Sequence, residues 1–238
     1  DADAGEAPFP ALKRNVSGYN LDRLVAEAKG EYGEAGVVNL ARLLAGSEGT
    51  LAIVTEATVS LAPIPETKAV SLLCYDDLVT AMEAVAPILE HDPAAVEVLD
   101  EVLLDLAGET EAFGDLVDAI VPEGTGAMLL VEFSADSDAE GKRKVAALLA
   151  DRAGDVSTEA TPSDGAAELT DAPRRTVHAR EAHDDAERER FWKLRKSGLP
   201  ILLGKTSDAK HISFIEDTAV PPATLPEYVA EVRELLEE

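Results

Sequence analysis

The sequence predicts an α+β protein whose larger part is a ferredoxin-like βαββαβ domain with helical inserts. Three observations carry this. From residue 69 onward, Val/Leu-rich runs alternate with runs of helical period in the order β-α-β-(αα)-β-α-β. Pro63 and Pro65 interrupt the chain between two regions of different texture, which places a domain crossing there and divides it into residues 1–65 and 66–238. The 238 residues are 46% apolar, enough for a real core.

Residues 1–11 (DADAGEAPFPA) read as a frayed start. Asn39 can cap a short helix over 40–44 that stops at Gly46. Leu51 to Leu61 is rich in Val, Ile and Thr and predicts one or two strands. Beyond the prolines, 69–75 is a strand. Residues 76–91 form a helix: Asp76 and Asp77 suit its positive end, and Leu78, Met82, Val85 and Leu89 share a face. Strands at 95–99 and 127–133 flank short helices at 100–106 and 112–120. A helix over 137–153 stops at Gly154, and 155–161 is a fourth strand. Residues 162–182 are polar and read as a loop or lid. A helix over 184–199, a strand over 211–215 and a closing helix over 225–236 complete the chain.

Charge excludes several functions. Lysine and arginine number 21 against 47 acids, a net −26 with a pI near 4.4. Such a surface repels phosphate backbones and anionic lipid, so neither nucleic acid nor membrane insertion is expected. A third reading, an acidic nucleic-acid mimic, has this charge in its favour and no other support. The acids are spread along the whole chain, and lysine is scarce. That pattern fits a protein of a high-salt cytoplasm, where screening removes carboxylate repulsion. Cys74 stands alone, which excludes an internal disulfide and a cysteine-built zinc site. His178 and His183 lack the i,i+4 spacing of a helical metal pair, and His91 and His211 stand apart from them, so no metal site is expected.

The most specific string is GSEGTLAIVTEATVSLAPIP, residues 46–65. Its glycines allow backbone to approach a ligand closely, and their N–H groups can surround an anion or a carbonyl oxygen. The string resembles the second flavin-contacting segment of FAD-linked oxidoreductases of the glycolate oxidase and D-lactate dehydrogenase type, within the vanillyl-alcohol-oxidase-like flavoproteins. NVSGYNLDRL, residues 15–24, resembles that family's N-x-x-G-Y-D-L segment, with Asn20 where the family usually has Asp. FWKLRKSGLPILL (191–203) resembles its W-x-x-R helix, and SDAKHISFIEDTAVPPATLPEYVAEV (207–232) its strand–Val-Pro–helix element. The string FIEDTAVP is most similar to the D-2-hydroxyglutarate dehydrogenase-like members.

The resemblance implies a middle fragment. Residues 1–65 would be the C-terminal part of an FAD-binding domain and 66–238 a substrate or cap domain. The family's glycine-rich phosphate loop, its H-x-G-D/E-G-N-x-H signature and any CxxC group are not among these residues, so weak FAD binding by the chain alone is expected. The implied cofactor is FAD and the implied substrate a small D-2-hydroxy acid. An iron–sulfur domain is one class of downstream electron acceptor. Asn15, Tyr19, Gly46, Ser47, Glu48, Gly49, Thr50, Leu51 and Ile53 would contact the flavin. Arg195 and Lys210 would hold the substrate carboxylate, which a planar guanidinium grips with two prongs. Phe191 and Trp192 would anchor the Arg195 helix, with Leu199 on the same face. Two plainer readings stand beside these. Arg195 can be a surface ion pair with Glu181, Glu187 or Glu189, and the domain can be a non-catalytic ferredoxin-like module that binds a small molecule.

Overall fold

The computed structural model describes residues 18–31, 36–152, 166–168, 176–182, 184–204, 215 and 218–237. The chain divides into two compact units, residues 1–62 with 213–221, and residues 63–212 with 222–238.

In the first unit, α1 (Leu21–Ala28) and α2 (Ala41–Leu44) are joined through one buried carboxylate. Glu27 is 6% exposed; its Oε2 accepts the Asn39 N–H at 2.7 Å and its Oε1 pairs with Arg42. The cap expected at Asn39 is corrected by one residue: Leu40 is the N-cap of α2 and has no side-chain cap bond, while Asn39 Oδ1 accepts the Ala41 N–H at 3.0 Å from just outside the helix. Sequence reading missed α1, although Leu21, Leu24, Val25 and Ala28 follow the helical period. The strands expected over 51–61 do not form. Residues 51–62 have no strand partner among the described residues, and Ile53 and Leu61 are 92% and 89% exposed. β-propensity describes side chains that fit a pleated, half-buried surface, and without a neighbouring strand the backbone groups turn to water.

The second unit is built on a five-stranded sheet of order β2-β3-β1-β5-β4, antiparallel at every junction. Its strands are β1 (Thr67–Tyr75), β2 (Ala95–Asp100), β3 (Ala127–Ala135), β4 (Ala166–Glu168) and β5 (Thr176–Glu181). This is the ferredoxin-like order, with β5 in the fourth position beside β1. Within the loop expected over 162–182, residues 166–168 and 176–181 are strands instead: pairing of Ser71 with Glu181 through Cys74 with His178 overrides the polar composition. The strand expected over 155–161 lies outside the described residues, as do residues 211–214 of the later one.

Both faces of the sheet are covered. On one, Leu73, Tyr75, Leu129, Val131 and Phe133 pack with α3 (Leu78–Leu89) and α6 (Asp138–Arg152), and Leu225 and Val229 of α9 (Leu225–Glu237) join them. On the other, Val70, Leu72, Cys74, Met128 and Leu130 meet α4 (Glu101–Gly108), α5 (Gly114–Ile120) and α7 (Asp185–Lys196). Burial on both sides explains why β1 and β3 read as continuous apolar runs rather than alternating ones. Gly141 lets α6 approach β1 closely, since a Cβ there would stand 2.9 Å from that of Ala69. Burial pushes the Cys74 thiol up to about 12, so it is a core residue and no nucleophile.

The helix starts follow the aspartates. Asp77, Asp100 and Asp184 each accept the N–H three residues on, at 2.9, 3.0 and 2.8 Å. For Asp77, burial raises the carboxyl pKa, but hydrogen bonds from the Thr80 side chain and backbone lower it by more. A depressed folded-state value gives stability that is complete above the ordinary aspartate range and lost as pH falls through it. Asp77→Ala should cost about 1 kcal/mol at neutral pH. In urea titrations, the gap between variant and wild type should narrow as the solution is acidified. A variant of wild-type stability at pH 7 would show the cap to be idle.

Candidate functional site

In the first unit the two motif segments meet. Asn20 Nδ2 donates to the carbonyls of Ala45 at 2.7 Å and Arg42 at 3.2 Å, which ties the start of α1 to the end of α2. Tyr19 Oη lies 2.8 Å from Thr50 Oγ1. Thr50 gives its own hydroxyl proton to the Ser47 carbonyl at 2.6 Å, so the tyrosine is the donor. Amide oxygens are what Asn20 reaches; its NH₂ suits them where an aspartate could not donate.

Residues 47–50 form a tight turn. Glu48 and Gly49 have φ of 51° and 76°, and the Thr50 N–H closes it onto the Ser47 carbonyl at 2.9 Å. Two positive φ values in the centre mark a type I′ turn. Gly46, at φ 85°, precedes it, and a Cβ there would meet the Gly18 carbonyl at 3.3 Å. Around Gly49 nothing lies within 4 Å of a Cβ. The N–H groups of Glu48 and Gly49 donate to no group among the described residues. Ser47 is buried, while Glu48, Gly49, Thr50, Leu51 and Ile53 are exposed. Asn15 lies outside the described residues.

In the second unit the expected W-x-x-R helix is α7. Asp184 caps it; Phe191 and Leu194 enter the core, and both are essentially buried. Its polar contacts reach three strands. Glu187 pairs with Arg180 of β5, the Trp192 Nε1–H donates to Glu132 of β3 at 2.7 Å, and Arg195 pairs with Glu97 of β2. Arg195 gives its Nε–H to Glu97 Oε2 at 2.8 Å, and its Nη2 lies 2.7 Å from the same oxygen. The Arg195 side chain is 38% exposed and that of Glu97 32%. Its partner is thus none of the acids named from sequence. Leu199 does not continue the same face. α7 ends at Lys196, and Leu199 lies 59% exposed in a separate helix, α8 (Gly198–Leu203). Pro200 has no N–H to donate back to Lys196, and Ser197 instead bonds the Leu194 carbonyl.

Sequence reading missed Glu97, Glu132 and Lys68. Glu132 is 5% exposed, with Lys68 Nζ on Oε1 at 2.7 Å and Trp192 on Oε2. A glutamate inside the apolar run AMLLVEFSA was the available signal, because a buried acid needs partners. Lys68, Glu132, Arg188, Glu189, Trp192 and Lys196 line a hollow of about 330 Å³. Lys210, His183 and His211 lie outside the described residues. His91 pairs with Asp151 at 3.2 Å and His178 sits in β5. Among the described residues no group of three or more His, Cys, Asp or Glu could hold a metal ion, and no helix is long and apolar enough to cross a membrane.

The family described as FAD linked oxidases, C-terminal domain, matches residues 64–238. The D-2-hydroxyglutarate dehydrogenase of Pantoea ananatis is 30% identical over 233 residues, 96% of this chain and 21% of its own length. That of Escherichia coli K12 is 31% identical over 232 residues, again 96% and 21%. The glycolate oxidase subunit GlcD of Bacillus subtilis is 40% identical over 96 residues, 40% of this chain and 19% of its own length. The chain therefore spans about a fifth of the length of the D-2-hydroxyglutarate dehydrogenases it matches. With more than half of its residues inside the matched domain and that domain's α+β sheet in place, the chain belongs to the FAD-linked oxidase family.

Proposed function

We propose that this chain is part of an FAD-dependent oxidoreductase that oxidises a D-2-hydroxy acid of the lactate, glycolate or 2-hydroxyglutarate type. Residues 1–65 supply one wall of the flavin site and residues 66–238 the substrate-covering domain. The observation that carries the reading is the meeting of Tyr19 and Asn20 with the 46–50 turn, which leaves two backbone N–H groups unused. Such a turn fits a flavin: free donors suit its carbonyl oxygens and anionic groups, and the open space at Gly49 admits a ring against backbone.

Bound FAD would supply the acceptor for the substrate's α-hydrogen. The chain's own residues bind and orient. Arg195 holds the substrate carboxylate, Lys210 adds a second cation, and Phe191 with Trp192 keeps the arginine's helix on the sheet. The electrons then pass to an acceptor, for which an iron–sulfur domain is our first candidate, as in the resemblance drawn from FIEDTAVP. Gly46→Val tests the flavin wall. In FAD-loaded protein it should lower the flavin retained after gel filtration, because a side chain at φ 85° is strained and meets the Gly18 carbonyl. Unchanged flavin content would remove this segment from the site.

The net charge of −26 supports a cytoplasm of high salt as the working compartment. The melting temperature of the chain should rise between about 0.1 and 2 M KCl, over which the Debye length shrinks from about 10 Å to below 3 Å. A flat or falling curve would mark an ordinary acidic protein.

A further inference from the structure

We propose that Glu97 is a positioning residue that aims the Arg195 guanidinium; this rests on the reading of Arg195 as the carboxylate clamp. Ala95 of β2 faces Glu132 of β3 and Glu97 faces Leu130, so Glu97 and Glu132 are diagonal neighbours on the sheet face that α7 covers. On α7, Trp192 and Arg195 are three residues apart and share a side. The two diagonal carboxylates thus receive two donors spaced by one helical step: Trp192 on Glu132 and Arg195 on Glu97. Rotation or sliding of α7 would break both contacts together.

The guanidinium chemistry gives this clamp a direction. Glu97 Oε2 takes the Nε–H and an Nη2–H, one edge of the planar group. The edge formed by Nη1 and the other Nη2–H remains, and it too can grip a carboxylate with two parallel hydrogen bonds. A freely rotating arginine would lose side-chain entropy on binding. Glu97 removes that loss in advance, since orientation fixed before binding strengthens it. Both side chains are about one-third exposed, so the pair is not sealed from solvent.

Glu97 also carries a negative charge, which by itself would weaken anion binding. The proposal therefore makes a signed prediction: orientation outweighs repulsion. The test is NMR on the whole chain with labelled arginine, using D-lactate and D-2-hydroxyglutarate as probes. In wild type the Arg195 Nε–H should exchange slowly with solvent and shift on titration with hydroxy acid. Glu97→Ala should lose the protection and bind the hydroxy acid at least tenfold more weakly, with the sheet resonances unchanged. Glu97→Gln keeps an acceptor oxygen and should retain both properties to within about threefold, the discount for a neutral in place of a charged acceptor. Three results would overturn the proposal. Protection unchanged in Glu97→Ala would show that Glu97 does not hold the guanidinium. Equal or tighter binding by Glu97→Ala would show that repulsion dominates. A wild-type protein whose Arg195 resonances ignore both acids, or an Arg195→Ala variant that binds them unchanged, would overturn the clamp reading itself and the positioning role with it.

Discussion

Phe191→Ala is expected to lower the stability of the 63–212 unit by about 3–5 kcal/mol, the range for deleting a buried phenylalanine side chain. Phe191 is 1% exposed and belongs to the cluster of Val70, Leu72, Leu104, Ile120 and Leu194. Close-packed strands on one side and α4 and α5 on the other leave little room for collapse into the space vacated, so the cavity term adds to the lost transfer energy. The single tryptophan, Trp192, is the next residue on α7, which makes its fluorescence a direct probe of this unit. The urea midpoint should fall sharply with little change in slope. A loss below about 1 kcal/mol, the level of an ordinary surface-to-intermediate change, would mean that α7 is not anchored on the sheet. Arg195 would then have no fixed position over β2.

Arg195→Lys is expected to reduce kcat/KM for the 2-hydroxy acid about ten- to hundredfold in FAD-loaded protein, with folding and flavin content unchanged. A charge-assisted hydrogen bond is worth roughly 1.5–3 kcal/mol, and losing one of the two prongs costs about that much. The structure sharpens the argument. Arginine meets Glu97 with one edge and has a second edge that the proposal gives to substrate, whereas an ammonium is a point charge that Glu97 itself would draw in. Full activity of Arg195→Lys on D-lactate, glycolate and D-2-hydroxyglutarate would reduce Arg195 to a structural partner of Glu97.

Much of the second unit was legible because its signals were local. Asp77 and Asp100 mark helix starts by their own side-chain chemistry, and the Val/Leu runs of β1 and β3 are long and bounded. Where sequence reading failed, the decisive partner was distant. Residues 51–61 have strand composition, but a strand needs an edge to join, and none is offered among the described residues. β5 has polar composition and forms because β1 presents its free edge. The helix expected over 184–199 stops before Pro200, but α7 ends three residues earlier, at Lys196, and Pro200 sits in the first turn of the separate α8. Motif resemblance singled out Tyr19, Gly46, Gly49 and Arg195 as candidates. It could not find Glu97, whose meaning arises only when β2 is laid under α7.

The central claim is that these 238 residues serve flavin-dependent oxidation of a 2-hydroxy acid, with Arg195 holding the carboxylate. The most direct measurement is anaerobic mixing of D-lactate, glycolate or D-2-hydroxyglutarate with FAD-loaded protein made from the reading frame that contains this chain, followed by flavin absorbance. The account predicts bleaching by at least one of the three acids, and bleaching slowed at least tenfold by Arg195→Lys. Flavin that stays oxidised with all three acids, or that bleaches equally fast in the variant, would contradict it.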